Sequence, residues 1–485
     1  MKKIFLTLLT FVLVLSACTN YIEDQNTDPN SPQDADATNM FQGVILANQF
    51  WQTAASSRLA MIWMNQATGA DRQYLALNDW NTTTATDFDR DWGTAYANTI
   101  AHAAIVEQKA MEENNPQLAG AAKVIRAYAF GTIASLWGDI PFTEASDVEL
   151  FPNPAYDSQA SVYAGAQILL DEAIVMLNDP IGTIPSAKDI VFNGDANKWI
   201  KLAHATKARF YLHVEDYPNA NTEAQLGMTN SSDDYMARFG TQYGGSFNPY
   251  YSFLVYDRAG YMSASDSYAA ELLFGARENA KTTEVLRANF QYLDFYNIYN
   301  VGYELNYLSI YDWGYPDGKF GTESDMPLLT YGEMLLIQAE YEARTNGLSA
   351  GVTAYNNYRA LLRTGYSIGT DNDGYAALFG GNLASLMYDN YSDADFQSGG
   401  MENADGIADV DALLREIYEE RYIYFNGHFE SFTDYRRTDN IAEIQLKSGF
   451  SNDPQRFLYP QSEVNSNTSA PSPIPTVEVK TPIHL

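Results

Sequence analysis

The sequence predicts a mainly α-helical body interrupted by a loop-rich, irregular region that presents ligand-binding side chains. Three observations carry this. Apolar residues recur every three or four positions in a series of segments that fall into pairs. One long stretch, 229–329, drops that period and is rich in Gly, Tyr, Asn, Ser and Asp. The composition, 46% hydrophobic and 14% aromatic, is that of a globular chain with a large core.

The chain opens on Met1-Lys2-Lys3, an apolar run from Ile4 to Leu15, then Leu15-Ser16-Ala17-Cys18. Basic residues, a short apolar core and a small-residue cleavage site read as a secretory signal over 1–17. The run is shorter than the roughly 20 residues a membrane span needs, and no second long apolar run is evident. Leu-Ser-Ala-Cys resembles a bacterial lipobox, which would leave Cys18 acylated as the first residue. Cys18 is the sole cysteine, so no internal disulfide is expected. Residues 18–38, polar, acidic and proline-containing, read as a lipidated tether, and 39–485 as a single body. The formal charge is −32, or −34 after loss of Lys2 and Lys3, which argues against nucleic acid as a partner.

Met40–Thr68 is helical in pattern, with Phe41, Val44, Ile45, Trp51, Ile62 and Trp63 among its apolar positions. After a loop over 70–90 come helix pairs near 91–137, 161–214, 330–363 and 409–437. Pro116 suits the first turn of the second helix of the first pair. In the second pair Val162, Ala166, Leu169, Ala173 and Leu177 keep the helical spacing, as do Trp199, Leu202, Ala203, Thr206 and Phe210. Gly332, Leu336, Ala339 and Ala343 make one face of the third pair small enough for close contact. Val410, Leu413, Leu414, Ile417 and Phe425 form the stripe of the fourth. The pairs resemble tetratricopeptide repeats, which stack into one scaffold rather than separate domains. The insert 229–329 reads as loops with short strands, with helical period only at 266–278. Residues 366–408 are irregular, and the tail 461–485 reads as extended.

Four segments in order resemble the SusD/RagB family of outer-membrane nutrient-binding lipoproteins. They are Trp137-Gly138-Asp139-Ile140-Pro141-Phe142 after a helix, and Ala339-Glu340 followed by Tyr355-Asn356-Asn357-Tyr358-Arg359. Then come Glu416 to Arg421 with Asn426-Gly427-His428 and Asp434-Tyr435-Arg436-Arg437, and finally Arg456-Phe457-Leu458-Tyr459-Pro460 with Glu463 and Asn465. Asn426-Gly427-His428 stands where that family usually has Glu-Gly-x. Glu23-Asp24 resembles the surface-export signal of Bacteroidetes lipoproteins. The resemblance implies a tetratricopeptide-like helical fold, lipid anchoring on the outer face of the outer membrane, and a SusC-like TonB-dependent transporter as partner. It also implies a glycan or, in some members, a peptide as ligand.

The motif residues themselves read as structural. Gly138 ends a helix, Asp139 caps, and Pro141 stops continuation. Arg436 and Arg437 are expected to pair with carboxylates such as Glu419 or Glu420 rather than with ligand, and Pro460 with Glu463 to start a helix. Ligand contact is expected from loop aromatics held by the helices, because a ring stacks on the apolar face of a sugar while amides and carboxylates meet its hydroxyls. The candidates are Trp80, Trp313, Tyr315, Tyr311, Asn306 and Tyr74, with Tyr250 as a weaker one. Trp51, Trp63, Trp92 and Trp199 lie on helical stripes and are assigned to the core. His102, His204, His213, His428 and His484 show no H-E-x-x-H spacing, and there is no phosphate-binding loop or dinucleotide fingerprint. Asp371-Asn372-Asp373-Gly374 lacks the full spacing of a calcium loop and reads as a turn. The sequence therefore calls for no enzyme activity, no cofactor and no metal. Its reading is non-catalytic capture of an oligosaccharide for a SusC-like transporter. A peptide binder on the same scaffold, a surface glycosidase and a pure assembly scaffold are the alternatives.

Overall fold

The computed structural model describes residues 35–484, apart from 148, 296–301, 367, 369–385, 448 and 450–451. The signal segment, Cys18, most of the tether and Asp371–Gly374 lie outside the described residues. The described chain is mainly helical. α1 (Ala37–Gln52) begins under an Asp36 cap that accepts from Asn39 N–H, and α2 (Ala55–Trp63) follows at once. The first predicted pair is Asp89–Gly93, a π-helical stretch Thr94–Ala101 and α3 (His102–Glu112), followed by α4 (Pro116–Trp137). Asn115 caps α4 and Pro116 occupies its first turn, where the missing N–H costs nothing. α4 ends where Gly138 takes φ +87°, a conformation open to glycine.

α5 (Gln159–Leu177) and α6 (Ala196–His213) form the second pair, and the polar α7 (Tyr217–Leu226) follows. By length and composition α5 is apolar enough to cross a membrane, contrary to the sequence reading. It nevertheless packs on α4 and α6, and Lys123–Glu172 and Lys207–Asp171 ion pairs, both 2.6 Å, tie it to them. The insert then holds α8 (Val285–Gln291), the single-turn α9 (Ile310–Trp313) and short paired strands. The helical period expected near 266–278 appears as Tyr268–Glu271 and Leu272–Ala276. The stack resumes with α10 (Tyr331–Asn346), α11 (Leu348–Leu362), α12 (Asp409–Tyr424) and α13 (Glu430–Arg437). The tail is irregular except for α14 (Gln461–Ser466), which starts at Pro460 as expected, and a last turn Pro482–His484.

Neighbours in the stack run α3–α4–α5–α6–α7–α10–α11, with α12 packed on α10 and α11. Thus α7 and α10 are adjacent although the whole insert lies between them in sequence. Strands β1 (Thr68–Gly69), β2 (Ile140–Pro141), β3 (Tyr156–Asp157), β4 (Tyr235–Ala237), β5 (Met262–Ser263), β6 (Tyr292–Asp294), β7 (Tyr303–Leu305) and β8 (Met326–Leu329) make four antiparallel pairs: β1–β5, β2–β3, β4–β8 and β6–β7. β4–β8 closes the two ends of the insert against each other.

One hydrophobic cluster runs from Ala37 to Val477 and includes Trp51, Trp63, Trp92 and Trp199, as the helical stripes required. Buried ion pairs fasten it. The family motifs are structural, but one pairing differs from expectation. Arg437 reaches Glu340 at 2.8 Å and Asp434 at 2.9 Å, not Glu419 or Glu420. Arg436 donates to the backbone carbonyls of Ser135 and Gln455. Glu419 and Glu420 are instead met by Arg277, and Glu420 also by Arg287. Asp139 caps the start of α5 by accepting from Gln159 N–H at 2.8 Å.

Candidate functional site

Exposed rings gather on one shelf built around α9. Ser309 caps this turn by accepting from Tyr311 N–H, and Gly314, at φ +70°, closes it. The loop beyond is pinned back by Asp317, whose carboxylate accepts from Ile310 N–H at 2.9 Å and Glu323 N–H at 2.8 Å. So held, Tyr311, Trp313 and Tyr315 stand 53%, 44% and 45% exposed. Large rings left that open in a rigid turn form the kind of apolar surface that binds ligand.

A second segment from the same insert completes the shelf. Phe247 packs 5.2 Å from Tyr311, and Tyr251 6.2 Å from Trp313, both edge-on. Tyr307 lies 5.8 Å from Trp313, and Tyr243 and Tyr256 lie 4.6 Å apart. Tyr243 and Tyr256 are themselves exposed. The Asp312 carboxylate accepts the phenol protons of Tyr251 and Tyr256 and so locks the two segments together. Burial, with this carboxylate beside it, holds the Tyr251 phenol well above its ordinary pKa, so it remains a donor. The rings offer flat apolar faces, and their hydroxyls a polar edge, which is the chemistry a sugar ring requires.

Ile310, on the same turn, also lines a cavity of about 750 Å³, a size typical of small-ligand pockets. Its wall includes Asp234, Arg287, Lys319, Tyr366 and Tyr424. Asp234 accepts from Tyr331 N–H and from the Tyr366 hydroxyl, both at 2.7 Å, and Tyr366 lies 3.2 Å from the Tyr424 hydroxyl. Burial pushes the Asp234 carboxyl up to about 7. Burial, with the Arg287 charge nearby, brings the Lys319 ammonium down to about 8.

Of the residues singled out from sequence, Tyr311 and Trp313 meet on the shelf through Phe247 and Tyr251, and Tyr315 stands exposed just beyond Gly314. Trp80 does not: it is 2% exposed and belongs to the core, so its indole offers no face to a ligand. Asn306 is fully buried, and its amide holds the insert by donating to Asn289 carbonyl and accepting from Leu308 N–H. Tyr250 is likewise buried, donating to the Gly427 carbonyl at 2.9 Å. Tyr74 is half-buried against Phe253 and Tyr261, pinning its own loop. The shelf residues not singled out are Tyr243, Phe247, Tyr251 and Tyr256. Their one sequence signal was the aromatic density of 239–257.

Catalytic geometry finds little support. Gly365-Tyr366-Ser367-Ile368-Gly369 has the spacing of a nucleophile elbow, but that elbow needs a strand before its serine. Here α11 ends at Leu362, just ahead of it; Ser367 and Gly369 lie outside the described residues. Among the described residues no group of three His, Cys, Asp or Glu side chains could hold a metal ion.

Residues 29–460 match a family described as "Starch-binding associating with outer membrane", SusD-like. No curated protein matches the sequence. Solved structures share the fold. A SusD/RagB family protein from Bacteroides thetaiotaomicron has a TM-score of 0.63 at 19% identity, covering 90% of this chain and 95% of that one. A SusD homolog from Bacteroides fragilis has a TM-score of 0.67 at 16% identity, covering 93% and 100%. A chitin-binding SusD homolog from Flavobacterium johnsoniae has a TM-score of 0.67 at 13% identity, covering 92% and 98%.

Proposed function

We propose, for a chain that belongs to the SusD-like family of starch-binding proteins associating with the outer membrane, that it captures oligosaccharides on the cell surface and passes them to a SusC-like TonB-dependent transporter. The family is one of binding proteins, not enzymes. The observation that carries the reading is the shelf: Tyr311, Trp313 and Tyr315 are held open by a capped turn while Phe247 and Tyr251 behind them are buried. A glycan would lie across these faces, with phenol and carboxylate groups at the edge meeting its hydroxyls. The chitin-binding relative from Flavobacterium johnsoniae supports a glycan as ligand.

The anchoring arrangement follows from the leader. Cleavage after residue 17 leaves Cys18 to carry fatty-acyl chains, and 18–38 tethers the single body 39–485 to the membrane. Each buried CH2 is worth about 0.8 kcal/mol, so two or more chains hold it there stably. Calorimetric titration of the purified protein against a panel of neutral and acidic oligosaccharides and peptides tests the reading. Binding of at least one glycan, lost in Trp313→Ala, is expected. Binding of peptides alone, or turnover of a glycan, would overturn it.

A further inference from the structure

Among the described residues, the cavity beside α9 holds one cation without an ion-pair partner, Lys319. Lys319 is 7% exposed and lines the cavity. Its backbone N–H donates to the Phe290 carbonyl. Its ammonium has no ion pair or hydrogen bond among the described residues. The other cations of the wall are matched: Arg287 by Glu284 and Glu420 at 2.5 Å each, and Arg238 by Asp325 at 3.4 Å.

The carboxylates of the wall are hydrogen-bonded, ion-paired or exposed. Asp317 holds the α9 loop through the N–H groups of Ile310 and Glu323. Asp325 faces Arg238. Asp234 is held by Tyr331 and Tyr366. Glu323 lines the cavity and is exposed to solvent. A buried charge without a partner is costly unless something arrives to match it.

We infer that this cavity takes the acidic group of the ligand, with Lys319 pairing to a sugar carboxylate, so that uronic-acid-containing oligosaccharides are the preferred class. The inference rests on the glycan-binding role of the shelf and adds to it. Ile310 lines the cavity and Tyr311 and Trp313 stand on the shelf, so one short turn serves both. A glycan stacked on the rings can therefore direct one residue inward. A single ammonium matches the single charge of a carboxylate, and a charge-assisted hydrogen bond of about 1.5–3 kcal/mol corresponds to roughly 10–100-fold in affinity.

The test is calorimetric titration of the wild-type protein with trigalacturonate, its carboxyl-reduced neutral trimer and a sulfated galactose trimer. Wild type is expected to prefer trigalacturonate to the neutral trimer by about 10-fold or more. Lys319→Met should abolish that preference while still binding the neutral trimer, which also shows that it folds. Lys319→Arg should retain the preference. Equal affinity of wild type for the charged and neutral trimers, or an unchanged preference in Lys319→Met, overturns the inference while leaving the shelf intact. Stronger binding of the sulfated trimer overturns the carboxylate assignment. Failure of every glycan to bind wild type overturns the proposed function itself.

Discussion

Tyr256 donates its phenol hydrogen to Asp312, lying 3.0 Å from one carboxylate oxygen and 2.9 Å from the other, and so ties together two segments 56 residues apart. Tyr251 donates to the same carboxylate. Asp312 thus orders the rings without itself presenting an apolar face. In Asp312→Ala these phenols lose their common acceptor, and a ligand must then order them on binding. That ordering costs about 0.5–1.5 kcal/mol per side chain. Glycan affinity is expected to fall by roughly 3–10-fold, and Asp312→Asn to recover part of it, as read by calorimetric titration.

Trp80 separates burial from binding. It is 2% exposed, within the main core, on a short turn capped by Asp79. Trp80→Ala removes a large buried ring, a change that costs about 3–5 kcal/mol. Denaturant unfolding should show that loss, whereas any folded fraction should bind glycan as wild type does. Trp313→Ala should give the reverse pattern, with little change in unfolding midpoint and loss of binding.

The contrast between these two tryptophans shows what could be read from the chain. Both lie in irregular segments beside an aspartate, and local composition does not distinguish a ring that plugs the core from one left open. The helix pairs were legible because a period of three or four residues records burial on one face, as in α5, α6 and α12. The polar α7, YPNANTEAQL, carries too few large apolar residues for that signal, yet it packs against α6 and α10. The Arg437–Glu340 pair spans 97 positions. Sequence offered nearer carboxylates at Glu419 and Glu420, but the stacking of α10 against α12 and α13 decides the partner. Half of the shelf was missed for the same reason: Tyr243 and Tyr256 reach Trp313's surroundings through the folding of the insert.

Arg209 and Glu333 lie in the layer that joins the stack to the insert. Arg209 Nε sits 2.8 Å from one Glu333 oxygen and Nη2 2.5 Å from the other, with both side chains fully buried. Arg209 also donates to the Tyr128 hydroxyl and the Leu328 carbonyl on β8. Glu333→Ala leaves a guanidinium in the core with Glu430, at 3.7 Å, as its remaining carboxylate among the described residues. Breaking one side of such a pair costs about 3–5 kcal/mol, and replacing both partners with apolar residues costs far less. Glu333→Ala should therefore lower stability more than the double variant Arg209→Met/Glu333→Leu, as measured by denaturant unfolding.

Asp234 makes stability depend on pH in a direction opposite to an ion-paired carboxylate. Burial raises its folded pKa from 3.8 to about 7, against the lowering effect of the Tyr331 N–H and Tyr366 hydrogen bonds. Between those values the folded protein holds a proton that the unfolded chain has lost. The unfolding free energy contributed by this group therefore falls as pH rises from about 4 to about 7, and is flat above. A shift of this size corresponds to roughly 2–4 kcal/mol over the full window. Asp234→Asn keeps an acceptor oxygen for the Tyr331 N–H, turns its NH2 as a donor toward the Tyr366 hydroxyl, and does not titrate. Denaturant unfolding at pH 4.5, 6 and 7.5 should show the variant gaining on wild type as pH rises. A constant difference between the two across that range would remove Asp234 from the pH response.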